Sequence, residues 1–268
     1  VRHGSEGRGE QLLKTDQDNG LLLSDGYEPP ADLQAICDRF SQALAGFGYP
    51  ECAGRIMLNN PEWRGTVTGF GDKVRGWLLQ PQGESLMYLA IFMDAHAVAG
   101  KAQLLAEVRQ RVMQLATDND ALVARFAMAI DAFGGAAGWW NRLLSLGGGD
   151  ADLVNLKKAG IFPIVHGVRS LALARRIKAT GTVERIAALQ GEGQLDEAMA
   201  QELVQGLHFL MGLRLQAGLA ELELQRPVTG NVDPQRLSSL DRDLLKDTLS
   251  AVKRFKALLH QRLRLDAV

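Results

Sequence analysis

The spacing of apolar and polar positions changes character near residue 100. Before it, short apolar runs alternate with turn residues. Leu21-Leu22-Leu23, behind Asn19-Gly20, is short enough for a buried strand, and Leu86 to Met93 reads as a second one that ends at Asp94. Asp25-Gly26 and Pro29-Pro30 mark a turn. Asp32 to Ala45 carries Leu33, Ile36, Phe40 and Leu44 at helical spacing, Arg55 to Leu58 suggests a short strand closed by Asn59-Asn60-Pro61, and Lys73 to Gln80 predicts a helix with Trp77 inward. From Lys101 onward the period is helical throughout. Leu105, Val108, Val112 and Leu115 define one amphipathic helix, and Leu122, Phe126, Ile130 and Phe133 another. Further helices are expected over Ile164–Ala179, Thr182–Leu189, Asp196–Gln225 and Ser239–Leu265, with Thr182 and Ser238 as N-caps and Asp241 as a capping-box acid. Glycines at 134, 135, 138 and 147 to 149 form joints around Trp139-Trp140, and Pro227 with Gly230-Asn231 separates the last two helices. The pattern predicts an α+β chain: a small mixed sheet with flanking helices over residues 1–115, then an all-helical domain over 116–268.

Composition narrows the function classes. A formal net charge of -1 lacks the basic excess of a duplex-binding surface, although it leaves room for a local anion pocket. Cys37 and Cys52 are too few for a disulfide framework or a zinc site, so reduced thiols in a cytoplasmic setting are expected. No apolar stretch is long enough for a membrane span, and no signal peptide opens the chain. The sequence starts at Val1, just ahead of its first motif, and we expect an upstream part to be missing.

That motif is the most informative segment. Gly4-Ser5 opens a glycine-rich stretch that runs to Gly9, and Asp16 and Asp18 follow immediately before the first apolar run. Two carboxylates one residue apart in extended chain point to the same side. Their mutual repulsion calls for a cation, and a hard divalent ion such as magnesium suits oxygen ligands. Glycine lets backbone N–H groups approach phosphate oxygens closely. A phosphate cradle beside paired carboxylates indicates chemistry on a nucleoside triphosphate. The competing reading of Asp16 and Asp18 is a polar turn before a strand.

Gly4-Ser5, Arg8, Glu10-Gln11 and Thr15-Asp16-Gln17-Asp18-Asn19 resemble the signature of the DNA polymerase β-like nucleotidyltransferase superfamily, in its DUF294 branch, which is related to the N-terminal domain of protein-PII uridylyltransferases. Asn60-Pro61-Glu62-Trp63, the segment around Asp94, and Leu156 to Val165 with Arg169 extend the resemblance to nearly the whole chain. It implies a Mg2+-dependent transfer of a nucleoside monophosphate from a triphosphate, with Asp16, Asp18 and Asp94 as catalytic metal-binding carboxylates. Gly4, Ser5 and Arg8 would contact the phosphates, and Lys157 falls on the family's matching lysine, from which it would reach the nucleotide. A protein acceptor, as in PII uridylylation, follows from the same kinship, as does a signalling role with cyclic-nucleotide-binding and CBS modules upstream.

Each residue also has a plainer reading: a turn cap for Asp94, a solvated charge for Arg8, an inter-helix ion pair for Lys157 and a packed core histidine for His166. Glu10 and Gln11 match the family without a role that the sequence defines. Trp63 and Trp139-Trp140 are stacking candidates whose commoner fate is packing. A competing function class is a nucleotide-sensing or partner-docking module that binds triphosphate without turnover.

Overall fold

A computed structural model describes residues 1–13, 16–117, 119–131 and 153–267. Lys14, Thr15, Phe133, Trp139-Trp140 and the glycines around the tryptophans lie outside the described residues. The chain divides into two compact units. The first comprises Val1–Leu122 together with Lys178–Thr182, and the second comprises Val123–Ile177 and Val183–Val268.

In the first unit a five-residue helix, α1 (Gly4–Arg8), precedes strand β1 (Leu21–Leu23) and helix α2 (Leu33–Gly46). Strand β2 (Arg64–Thr66) pairs in parallel with β1 in the register Leu21 to Arg64, Leu22 to Gly65 and Leu23 to Thr66. A turn of 3-10 helix, Pro61–Trp63, delivers the chain to β2, with Asn60 Oδ1 accepting from the Glu62 amide and proline preset at the first helical position. Helix α3 (Val67–Leu79) follows directly, capped by the Thr66 hydroxyl, and packs on α4 (Ser85–Met93) and α5 (Ala102–Thr117). The sheet continues beyond β1 by single bridges: Arg2 pairs antiparallel with Asn19 on one side and with His96 on the other. The α+β class with a small sheet and flanking helices is as expected.

Two strand expectations fail. Leu86–Met93 is helical, with Leu89, Phe92 and Met93 buried at helical spacing. A short, uniformly apolar run fits strand and helix equally well, and here Pro81-Gln82-Gly83 and a Ser85 hydroxyl bonded to Gln82 launch a helix. Arg55–Leu58 is not a strand: Arg55 sits at φ 53°, and β1 finds its partner at Arg64–Thr66.

The core of this unit is aromatic. Trp63 lies with its ring centroid 5.5 Å from Trp77 and 5.5 Å from Tyr88, while Phe70 stands 5.9 Å from Trp77 and 5.7 Å from Phe92. Trp63 is thus a packing anchor.

The second unit is helical. Helix α6 (Asp120–Ala127) crosses the division and runs into a 3-10 turn, Met128–Asp131. A π-helical turn, Lys157–Ile161, leads into α7 (Phe162–Ala174), followed by α8 (Thr182–Gly191), α9 (Glu197–Glu223) and α10 (Ser239–Leu263). Ser238 is the expected N-cap, its hydroxyl accepting from the Asp241 amide at 3.0 Å, and Asp241 Oδ2 accepts from that hydroxyl at 2.7 Å rather than from the Ser238 amide as a full capping box requires. Thr182 instead opens its helix as the first helical residue rather than as its cap. Glycine allows close helix contact at several points: a Cβ at Gly160 would stand 2.4 Å from Leu210 Cδ1, one at Gly167 2.5 Å from Leu259 Cδ1, and one at Gly206 2.9 Å from Thr248 Cγ2. Gly167→Ala should therefore lower stability by about 1–3 kcal/mol despite alanine's better helix propensity. Chemical denaturation of the second unit's helices would show it, and an unchanged midpoint would contradict this packing.

Candidate functional site

The Gly4 motif is folded against the carboxylate segment by backbone bonds. The His3 amide donates to the Asp18 carbonyl at 2.9 Å, and the Gly20 amide donates to the Val1 carbonyl at 3.0 Å. On the opposite side Arg2 and His96 exchange both backbone bonds, at 2.9 and 2.8 Å. Residues 2–3 therefore lie between the segment bearing Asp18 and the one that follows Asp94.

Burial alternates along residues 16–19. Gln17 and Asn19 point inward, and Asp16 and Asp18 take the partly exposed side, as a two-residue period requires. The inward residues are anchors: Gln17 Nε2 donates to the carbonyls of Ser41 and Tyr49, each at 2.9 Å, and Asn19 Oδ1 accepts from the Leu58 amide. Gly4 sits in the left-handed region at φ 58°, and a Cβ there would stand 2.9 Å from Asp18 Oδ2. Glycine is needed at this point for both reasons. Glu6, on α1, joins the same negative neighbourhood. Burial raises its carboxyl above the usual range and Asp16 adds to the rise, so this third acid near Asp16 went unnoticed in the sequence. Burial, with Asp18 and Asp16 nearby, pushes the Cys52 thiol up to about 11, which leaves it protonated and unreactive at neutral pH.

Asp94 occupies a different setting. It is the C-cap residue of α4, its side chain is 1 % exposed, and its Oδ2 accepts from Arg8 Nη1 at 2.5 Å. Arg8 Nε donates to Glu10 Oε2 at 2.6 Å, and Glu10 Oε1 accepts from the Thr182 amide at 2.7 Å. Burial works against the Arg8 charge, but the two carboxylates outweigh it and hold the guanidinium above its ordinary pKa. Arg8 is therefore paired rather than solvated. Arg109 of α5 donates to the carbonyls on either side of Asp94, those of Met93 and Ala95. Gly7 closes the corner: a Cβ there would fall 2.0 Å from the Asp94 carbonyl oxygen, inside bonding repulsion.

The structure thus brings Gly4 to Asp18 and Arg8 to Asp94, but it does not gather the three aspartates. Among the described residues no group of three His, Cys, Asp or Glu side chains is placed to hold a metal ion. Two strand spacings, about 10 Å, separate the backbones on either side of Arg2. The Asp16–Asp18 pair does fit an ion of the magnesium type, which usually takes one or two carboxylates together with substrate phosphates. Lys157 stands exposed on the π turn of the second unit. His166 is buried there with Nε2 2.8 Å from the Phe126 carbonyl and Nδ1 3.0 Å from Arg169, so it is a packed histidine.

Comparison with known families decides the lineage. Residues 1–84 match the family described as "Putative nucleotidyltransferase DUF294", and residues 120–263 match its companion, "Putative nucleotidyltransferase substrate binding domain". The chain belongs to the DUF294 nucleotidyltransferase family. No curated protein matches it. Gly4, Ser5, Arg8, Asp16 and Asp18 all fall within the first DUF294 match and Lys157 within the second, whereas Asp94 lies between the two. Among the described residues no helix is long and apolar enough to cross a membrane.

His3, next to the DUF294 motif, is fully buried against Trp63 at 5.0 Å between ring centroids, and among the described residues neither ring nitrogen has a hydrogen-bond partner. Burial is the main reason that its pKa falls to about 3. The folded chain thus keeps it neutral, while the unfolded chain protonates it below about 6.5. The stability it confers is complete above that value and is lost as pH falls toward 3, at up to about 1.4 kcal/mol per pH unit. Wild type should lose about 2 kcal/mol more than His3→Met between pH 6.5 and 5 in guanidinium titrations. Parallel losses in the two proteins would refute the assignment.

Proposed function

We propose that this DUF294 chain moves a nucleoside monophosphate from a triphosphate to an acceptor, at the corner where Gly4 meets Asp18. The observation that carries the reading is the placement of Asp18 directly against the left-handed glycine, with Asp16 on the same partly exposed side of a segment pinned by Gln17 and Asn19. The polyphosphate tail lies along Gly4-Ser5, where the missing side chain admits it and the Ser5 hydroxyl donates to an oxygen. Arg8 offers a planar set of donors to the same tail. Asp16 and Asp18 would hold Mg2+, which when bound neutralises triphosphate charge and polarises the reacting phosphorus.

In the transfer, an acceptor oxygen forms a bond to the α-phosphorus, the bond from that phosphorus to the bridging oxygen breaks, and pyrophosphate departs with the pair of electrons. The acceptor's proton passes to a base or to water. Positioning and charge stabilisation supply most of the acceleration in such displacements. The description of the second match as substrate binding supports a substrate site in the helical unit. Kinship with PII uridylylation makes a protein the acceptor class we favour, and a cytoplasmic location accords with two free cysteines. A sensor that binds triphosphate without turnover is the second reading. It is favoured by the pairing of Asp94 with Arg8, which leaves three ion-binding carboxylates unassembled.

Incubation with each labelled triphosphate, magnesium and a cell extract as acceptor source tests the two readings. Pyrophosphate release should fall by about 10²–10⁴-fold in Asp16→Ala and Asp18→Ala, and vanish on removing divalent ions with chelator. Triphosphate binding with no release under any condition would establish the sensor instead.

A further inference from the structure

Of the three aspartates, Asp94 is the least able to meet an ion. Its carboxylate is buried on Arg8, Arg109 fixes the carbonyls that flank it, and its own carbonyl is pressed against Gly7. Glu10 takes the other edge of the same guanidinium and is itself held by the Thr182 amide, 172 residues away in sequence. Two carboxylates therefore engage Nε and Nη1 of Arg8 from different directions, and no described residue engages Nη2. A guanidinium gripped along two edges cannot rotate. Its plane and its remaining donor are fixed before any ligand arrives, so little side-chain freedom is left to lose on binding.

An ion at Asp94 would compete with Arg8 for a buried carboxylate and leave the guanidinium with Glu10 as its one remaining charged partner. The two tasks exclude each other. We infer that Asp94 and Glu10 are positioning residues that aim Arg8 at the polyphosphate tail, and that Asp94 is not a metal ligand. The inference rests on the nucleotide site proposed above, and it assigns Glu10 a role that the sequence left blank. It also explains why Thr182 has its amide on a carboxylate of the Gly4 motif: the segment Lys178–Thr182 braces Glu10.

Two probes that need no knowledge of base or acceptor test it on the full chain: Mn2+ alone, read by loss of its free electron-paramagnetic-resonance signal, and inorganic tripolyphosphate with Mg2+, read by calorimetry. Asp94→Asn and Glu10→Gln should bind Mn2+ as wild type does and tripolyphosphate about tenfold more weakly. Asp18→Asn should lose Mn2+. In an Arg8→Met background, Asp94→Asn should have no further effect on tripolyphosphate, because a residue that acts through Arg8 is silent without it. Loss of Mn2+ in Asp94→Asn to the extent seen in Asp18→Asn, or an equal effect of that substitution with and without Arg8, would overturn the inference. Should Asp94→Asn fail to fold, the Asp16→Asn, Asp18→Asn double variant answers for the ion, since Mn2+ still bound there would implicate Asp94 and overturn the inference, and Glu10→Gln answers for Arg8, since its amide oxygen can accept from Thr182 while the grip on Arg8 is weakened. Wild type that binds neither probe would remove the nucleotide site itself, a result distinct from every variant outcome.

Discussion

One largely enclosed guanidinium organises the first unit. Arg8 is where the glycine motif, the end of α4 and the returning Lys178–Thr182 segment meet, and it reaches each through a carboxylate. Leaving one member of a buried pair without its partner typically costs about 3–5 kcal/mol, a large share of the 5–15 kcal/mol that holds a domain folded. The arrangement is therefore strongly self-enforcing once formed. Its net charge is negative, so a ligand bringing further negative charge is welcome only where the guanidinium, Ser5 and a divalent ion face it together.

Around that centre the fold separates two kinds of acid. Asp16 and Asp18 sit on the partly exposed side of an extended segment whose alternate residues, Gln17 and Asn19, are sunk in the protein. Both keep part of their surface toward solvent. Asp94 and Glu10 are turned inward and committed to Arg8. Side-chain direction, rather than residue type, makes the difference.

Much of this was legible in the sequence. Period-two spacing foretold that Asp16 and Asp18 share a side, and helical spacing foretold α2, α5 and the helices of the second unit. Ser238 with Asp241 announced its own cap. Leu86–Met93 was misread because a run in which every position is apolar carries no period, and the deciding features were the proline, glycine and serine ahead of it. Arg55–Leu58 was misread because nothing local reveals a left-handed arginine. The partners of Arg8 were invisible for another reason: both Asp94 and Thr182 are remote in the chain, and one sequence holds no record of which distant groups meet. Glu6 escaped notice because its neighbour Asp16 comes close only after α1 folds back. His3 gave no hint, since an isolated histidine before a glycine motif looks like any polar surface residue.

The five residues that return to the first unit after a long excursion have an evolutionary consequence. A gene encoding only the N-terminal stretch would lack the peptide group that steadies Glu10, so an exchange of halves among proteins carries a cost unless that group is supplied again. Recombination that swaps the helical half must carry a compatible Lys178–Thr182 loop with it, and lineages of this architecture should inherit both halves together.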